Sequence, residues 1–253
     1  MEININNTLF IGKFLIYLPS IDSTNNYAKD YITKTSPIDG TVILADEQFA
    51  GRGQIGNKWQ TEPNKNLTFS IICQCKFLLA SQQFWLSVAV SLGIANALEE
   101  ILPNNHIKIK WPNDILIDDK KVCGILIENT ISGMYLNYSI IGIGLNVNQE
   151  EFSQELNATS LRLELKREED RISVLQEILS SIEKYYLLLK EGKMEALKTA
   201  YLNKLFQYKE VALYKKNETK FEGTITDVET SGKLVMETKN GIERYSFKEI
   251  IFL

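Results

Sequence analysis

The sequence predicts an α+β fold, a mostly antiparallel sheet with helices packed on a face, followed by a small C-terminal SH3-like β-barrel. Short β-branched runs separated by turn residues recur between Phe14 and Val147, and three longer segments carry apolar residues at helical spacing. Beyond about Gln207 only short strands remain, cut by turn pairs such as Ser231-Gly232 and Asn240-Gly241. At 253 residues the chain suits one main domain, residues 1–206, and a small one, residues 207–253, that would be marginal alone and is expected to dock on the first.

In chain order, Phe14 to Leu18 reads as a strand, and Thr24 to Thr33 as a helix with Tyr27, Ala28, Tyr31 and Ile32 on one face. Ser23 or Thr24 is its expected N-cap. After the Asp39-Gly40 turn come strands Thr41 to Ala45 and Leu67 to Cys75, with a glycine-rich loop between them. A long helix should run from a cap near Ser81 to about Leu102, where Pro103-Asn104-Asn105 stops it. Ile107 to Lys110 and Ile115 to Ile117 read as strands flanking a turn, with Asp118 to Lys121 as a hairpin tip. Val122 to Asn129 and Met134 to Val147 form two long strands joined at Ser132-Gly133. Ile172 to Leu189 and Met194 to Leu205 are amphipathic helices separated by Gly192. In the tail, strands are expected at Val211 to Tyr214, Lys220 to Asp227, Leu234 to Glu237 and Ile242 to Phe247.

A net charge of −4 and a pI near 5.3 give no broad attraction for nucleic acid or anionic membrane. The first residues lack a signal-peptide pattern and no apolar run approaches a membrane span, so a cytoplasmic location is expected. Cys73, Cys75 and Cys123 lie in apolar strand-like runs and fit a reducing compartment. With His106 the single histidine, and that beside a surface turn, no metal-ligand set is expected.

Candidate chemistry sits in three places. The loop Gln48-Phe-Ala-Gly51-Arg52-Gly53-Gln54-Ile-Gly56-Asn57-Lys58-Trp59 concentrates glycines, whose backbone N–H groups can turn toward an anion, with two cations. It is neither a P-loop nor a dinucleotide fingerprint, and a plain hairpin connection is its alternative reading. Asp22-Ser23-Thr24-Asn25 is by itself an ordinary helix start. Lys110-Trp111-Pro112-Asn113-Asp114 combines a core-type aromatic and a proline turn with two opposite charges and an amide, a grouping that packing explains less well. Lys121 alone would be a solvated hairpin lysine.

Together these segments resemble the signature of the biotin protein ligases. Ser23-Thr24-Asn25, Gln48 with Ala50-Gly51-Arg52-Gly53, Lys110 to Asp114, Lys121 with Gly124-Ile125-Leu126, and Gly144-Leu145-Asn146 follow the family's order. The resemblance runs from about residue 14 to the C-terminus and implies a class II synthetase-like sheet. It implies ATP-dependent conversion of biotin to biotinyl-5'-AMP with release of pyrophosphate, magnesium accompanying the nucleotide, then transfer to a lysine of a biotin carboxyl carrier domain of a carboxylase. Arg52, Lys110, Asp114 and Lys121 would carry the chemistry. Ser23, Thr24, Asn25, Gln48, Gly51, Gly53, Gln54, Trp59 and Gly124, with Arg52 and Lys121, would bind biotin, while Lys110, Trp111, Asn113 and Asn146 would serve the nucleotide. Such chemistry brings two anions together and needs cations and N–H donors, not an enzyme nucleophile. Asp114 would receive the incoming lysine amine, which must lose a proton first.

Family members often pair through the sheet, so the resemblance allows a homodimer. Competing readings are a lipoate or other acyl ligase, a passive ligand-binding protein, and a biotin-responsive repressor. The stretch before Phe14 is too short for the helix-turn-helix the last would need.

One departure stands out: Gln54 and Asn57 occupy positions where many family members carry basic residues. Less charge over the acyl phosphate should leave the adenylate held more by loop closure than by electrostatics. Free biotinyl-AMP in solution should therefore fall in Gln54→Arg relative to wild type; equal escape from both would contradict this.

Overall fold

The computed structural model describes residues 3–54, 58–153 and 156–253. The larger sheet and its helices comprise β1 (Leu15–Ile21), α1 (Thr24–Lys34), β2 (Thr41–Gln48), β3 (Leu67–Gln74), α2 (Phe84–Ile101), β4 (Ile107–Lys110), β5 (Asp114–Ile117), β6 (Lys120–Ser132), β7 (Tyr135–Leu145), α3 (Leu161–Leu165), α4 (Arg171–Lys190) and α5 (Met194–Lys204). The remainder forms β8 (Val211–Lys216), β9 (Thr219–Val228), β10 (Leu234–Thr238), β11 (Gly241–Tyr245) and β12 (Ile251–Phe252). The main sheet runs β1-β2-β3-β7-β6-β5-β4, and the smaller one β11-β10-β9-β8-β12. Only the β1–β2 pair of the main sheet is parallel, with α1 as its crossover.

The period of two along each strand divides the main sheet into two faces. Val42 and Leu44 of β2, Phe69 and Ile71 of β3, and Ile141, Ile143 and Leu145 of β7 join the large core with Leu86, Val90 and Ile94 of α2 and Leu175, Ile178 and Ile182 of α4. Ile43, Ile72 and Ile140 face the other way, where Ala28 of α1 packs on them with Tyr27, Tyr31 and Ile32. The helical face predicted for α1 is the one buried.

Three local differences have physical reasons. The long helix begins at Phe84, because Ala80–Gln82 forms a separate 3₁₀ turn closed by Gln82 N–H donating to the Leu79 carbonyl at 2.9 Å. Within Ala80–Ile101 an 18-residue stretch is long and apolar enough to cross a membrane by composition, correcting the expectation that no run reaches that length; 72% of that stretch is buried in the core, which accounts for its apolarity. Lys121 is not at a hairpin tip: Asp118 (φ 44°) and Asp119 (φ 69°) alone make the turn and Ile117 pairs with Lys120, so Lys121 is already inside a strand.

Strand β12 and helix α3 were not expected, nor was the anchoring of the N-terminal segment. Glu183 on α4, 4% exposed, accepts the backbone N–H groups of Leu9, Phe10 and Ile11, the last two at 2.8 Å. Cys73, Cys75 and Cys123 are buried free thiols, and burial raises the pKa of each, which keeps them protonated and inert.

Replacing Glu183 by Ala would strand three N–H donors, a loss on the order of 3 kcal/mol, or roughly 6–12 °C in Tm for a chain of this size. Thermal unfolding monitored by circular dichroism checks it; an unchanged Tm would show that the segment is not held this way.

Candidate active site

Alternation along β7 sets the floor of the site. Ile141, Ile143 and Leu145 point into the large core, which leaves Gly142 and Gly144 on the α1 face with no side chain. The vacated space is used at once. A Cβ on Gly142 would lie 2.3 Å from Asn25 Oδ1, and one on Gly144 2.2 Å from the Trp59 ring. Trp59 therefore lies against backbone, and a cavity of about 530 Å³ opens between α1, the glycine-rich loop, the β4–β5 turn and β12.

One end of this cavity is lined by small polar groups. Ser23 stands at the N-cap of α1 yet makes no side-chain capping bond; Gln48 Oε1 instead accepts the Thr24 N–H at 2.7 Å. Gln48 Oε1 also lies 3.1 Å from Thr24 Oγ1, and Ser70 Oγ lies 2.8 Å from Thr24 Oγ1 and 2.7 Å from Asn25 Oδ1. Asn25 Oδ1 can only accept, so Ser70 gives it its single proton and Thr24 is left to donate to Gln48 or Ser70. Thr24, Asn25 and Ser70 are buried, so these side chains are ordered and already desolvated.

The other end gathers charge. Lys121 Nζ lies 2.7 Å from Asp114 Oδ1 and 5.6 Å from the Trp59 ring centroid. Lys110 and Asp114 pair across the β4–β5 turn, and Lys110 Nζ stands 5.1 Å from the Phe252 ring centroid and 6.0 Å from that of Phe206. Burial lowers the Lys110 pKa from its ordinary value; Asp114 opposes that shift and Lys121 adds to it. Arg52 reaches in from the glycine-rich loop, with Nη2 donating to Glu128 Oε1 at 2.8 Å and Nη1 to Asn26 Oδ1 at 2.8 Å. The loop is closed by Trp59 N–H donating to the Gly51 carbonyl at 3.0 Å. Lys58 and Lys248 also reach the wall.

Ser23, Thr24, Asn25, Gln48, Arg52, Gly53, Gln54, Trp59, Lys110, Trp111, Asn113, Asp114, Lys121 and Gly124, all singled out in the sequence, line this one cavity. Gly51 and Asn146 do not. Gly51 supplies the carbonyl that ties down Trp59, and Asn146, 4% exposed, donates from Nδ2 to the Thr159 carbonyl at 3.0 Å. Trp111 is also a core residue: it is buried, its Nε1 donates to the Gly232 carbonyl at 3.0 Å, and its ring meets Phe247 at 5.3 Å. The Trp111–Pro112 bond is cis. Asn57, the second departure in the loop, lies outside the described residues.

Sequence reasoning missed Ser70, Glu128 and the tail residues Lys248 and Ile250 to Phe252. Thr68 and Ser70 are polar at alternate positions among the apolar residues of Leu67 to Cys73, a signal that could have found Ser70. Nothing local marks β12.

Residues 17–146 match the family model for the biotin/lipoate A/B protein ligase family. The bifunctional ligase/repressor BirA of Bacillus spizizenii is 33% identical over 244 residues, 94% of this chain and 73% of that protein. The chain belongs to the biotin protein ligases of that family. It is accordingly a ligase enzyme. Biotin–[acetyl-CoA-carboxylase] ligase of Mycobacterium tuberculosis is 32% identical over 126 residues, 49% of this chain and 46% of that one. Among solved structures, biotin protein ligase from Aquifex aeolicus in complex with biotin and ATP superposes with a TM-score of 0.79 at 31% identity, covering 95% of this ligase and 99% of that chain.

If the glycines of β7 seat Trp59, Gly144→Ala must displace its ring. Acrylamide quenching of tryptophan fluorescence should rise in Gly144→Ala, and Trp59→Phe in the same background should abolish the rise; quenching unchanged from wild type would contradict the packing.

Proposed function

We propose that this ligase joins biotin to the α-phosphate of ATP, releasing pyrophosphate, and passes the biotinyl group to a lysine of a biotin carboxyl carrier domain of a carboxylase. The observation that carries the reading is one cavity with an ordered hydroxyl and amide cluster at one end and Arg52, Lys110 and Lys121 at the other. Biotin has matching halves, a neutral ureido ring that both donates and accepts and a carboxylate on an apolar chain. Ser23, Thr24, Asn25 and Gln48 would take the ring, and Trp59 and Gly124 the apolar body. Gly51, Arg52, Gly53 and Gln54 would close over it.

In the first step the biotin carboxylate attacks the α-phosphorus and the bond to pyrophosphate breaks. Two anions must meet, so positive charge at the junction lowers the barrier. Lys121 would face the carboxylate and then the acyl phosphate, Arg52 the same junction, and Lys110 the nucleotide phosphates. Magnesium would travel with the nucleotide: the one carboxylate on the cavity wall among the described residues, Asp114, is already paired with Lys121. An adjoining cavity of about 300 Å³ shares Gln54, Pro112, Asn113, Leu126 and Lys248 with the first and adds Ile127 and Phe247. Its apolar walls beside the cations suit a nucleobase, with Asn113 as a polar contact and Trp111 and Asn146 bracing the elements around it.

In the second step the acceptor lysine's amine attacks the acyl carbon and AMP leaves. Asp114 would take the proton of that amine once Lys121 turns to the adenylate. Catalysis is thus assigned to residues 1–206, with 207–253 holding the Lys110–Asp114 turn. The three buried free thiols accord with a reducing compartment such as the cytoplasm.

Incubation with magnesium, ATP, biotin and a carrier domain should add one biotinyl group to the acceptor lysine by mass analysis, and lipoate should not substitute. No modification, or equal use of lipoate, would defeat the proposal. The pH dependence is a second test. Because burial lowers the Lys110 pKa, its positive charge is lost at a lower pH than in an ordinary lysine, so biotin-dependent pyrophosphate exchange should decline early on the alkaline side. Lys110→Arg stays charged there and should move that limb upward; coincident alkaline limbs would remove Lys110 from the role.

A further inference from the structure

Glu128 lies on β6, two strand positions beyond Leu126 of the cavity wall, and its carboxylate is shared between the two ends of the site. Oε1 accepts from Arg52 Nη2 at 2.8 Å, while Oε2 accepts from Arg52 Nη1 at 3.1 Å and from Asn25 Nδ2 at 2.8 Å. Asn25 in turn takes the Ser70 proton at 2.7 Å, beside Thr24 and Gln48. A single chain of hydrogen bonds therefore runs from the loop guanidinium to the hydroxyl and amide cluster, and Glu128 is the link that joins its halves.

Stability does not account for this ion pair. Arg52 and Glu128 are 40% and 31% exposed, and pairs so open to water add little to folding. What a bidentate carboxylate does supply is direction. Arginine is long and rich in rotamers, and two parallel N–H···O bonds to a residue in mid-strand, paired with Ile140 of β7, hold its plane in one place.

We infer that Glu128 is a positioning residue for adenylation, holding Arg52 on the cavity wall in register with the Asn25–Ser70–Thr24 cluster. It touches neither substrate and acts through Arg52. Glu128→Gln keeps the volume and an acceptor for Asn25 but loses the charge and one acceptor for Arg52. The inference rests on the biotin-activation reading, so the assay is biotin-dependent exchange of labelled pyrophosphate into ATP by the full chain.

In Glu128→Gln, kcat should fall by about tenfold with Tm and the KM for biotin unchanged, and in an Arg52→Met background the same substitution should matter less than about twofold. A rate equal to or above wild type, the second outcome meaning that Glu128 holds Arg52 away from the reaction, would overturn the inference alone. So would the same tenfold loss without Arg52. A wild type with no biotin-dependent exchange would overturn the reading and the inference together.

Discussion

Strand β7 sits in the middle of the sheet, bonded to β3 and β6, and its side chains cannot serve both faces in the same way. Toward α2 and α4 it presents Ile141, Ile143 and Leu145, which the core requires. Toward α1 it presents glycine at 142 and 144, and there Asn25 and the Trp59 ring approach the backbone more closely than any side chain would permit. The cavity exists because β7 is bare on that face at Gly142 and Gly144. The glycine-rich loop, the start of α1 and the β4–β5 turn can only converge on a floor of this kind, and a β-branched pair at these two positions would have given another packed layer.

Around that floor, charge is concentrated against the trend of the whole chain. The protein carries a net charge of −4, yet Arg52, Lys58, Lys110, Lys121 and Lys248 all reach one cavity. Clustering cations is costly, and the structure offsets it in three ways. Lys121 is paired with Asp114, Arg52 with Glu128, and Lys110 lies near the rings of Phe206 and Phe252. Arg52, Lys110 and Lys121 are each restrained by a partner that an incoming anion can supplement or replace, so little reorganisation of these three is left for the moment of reaction.

The fold and most residues lining the candidate site are legible in the sequence because their signals are local. Strand alternation, the α1 face, the glycine-rich loop and the Lys110-to-Asp114 turn can each be read within a dozen residues. What was not legible depends on contacts distant in sequence. Glu128 reads as an ordinary polar residue within a strand until Arg52, 76 positions away, is laid against it. Phe252 acquires meaning only when β12 pairs with β8 and reaches Lys110. Lys121 was placed at a hairpin tip because four polar residues in a row look like one turn; two residues at positive φ suffice, and that shorter turn places Lys121 in β6.

The Lys110-to-Asp114 segment shows why a motif mixes roles. Trp111 is buried and tied to Gly232 in the β9–β10 turn, while Lys110, Asn113 and Asp114 line the cavity on either side of it. The tryptophan fixes the turn and the polar residues use it. The segment that forms the smaller sheet is therefore part of the site's architecture despite carrying few of its motifs.

In the reaction proposed above, Lys121 would recognise by its charge the acid that is to be activated. Calorimetric affinities for biotin and for biotinol, which has an alcohol in place of the carboxylate, test it most directly when compared in wild type and Lys121→Met. The account predicts that wild type favours biotin by about tenfold and that Lys121→Met binds the two nearly alike. An undiminished preference for biotin in Lys121→Met would contradict it.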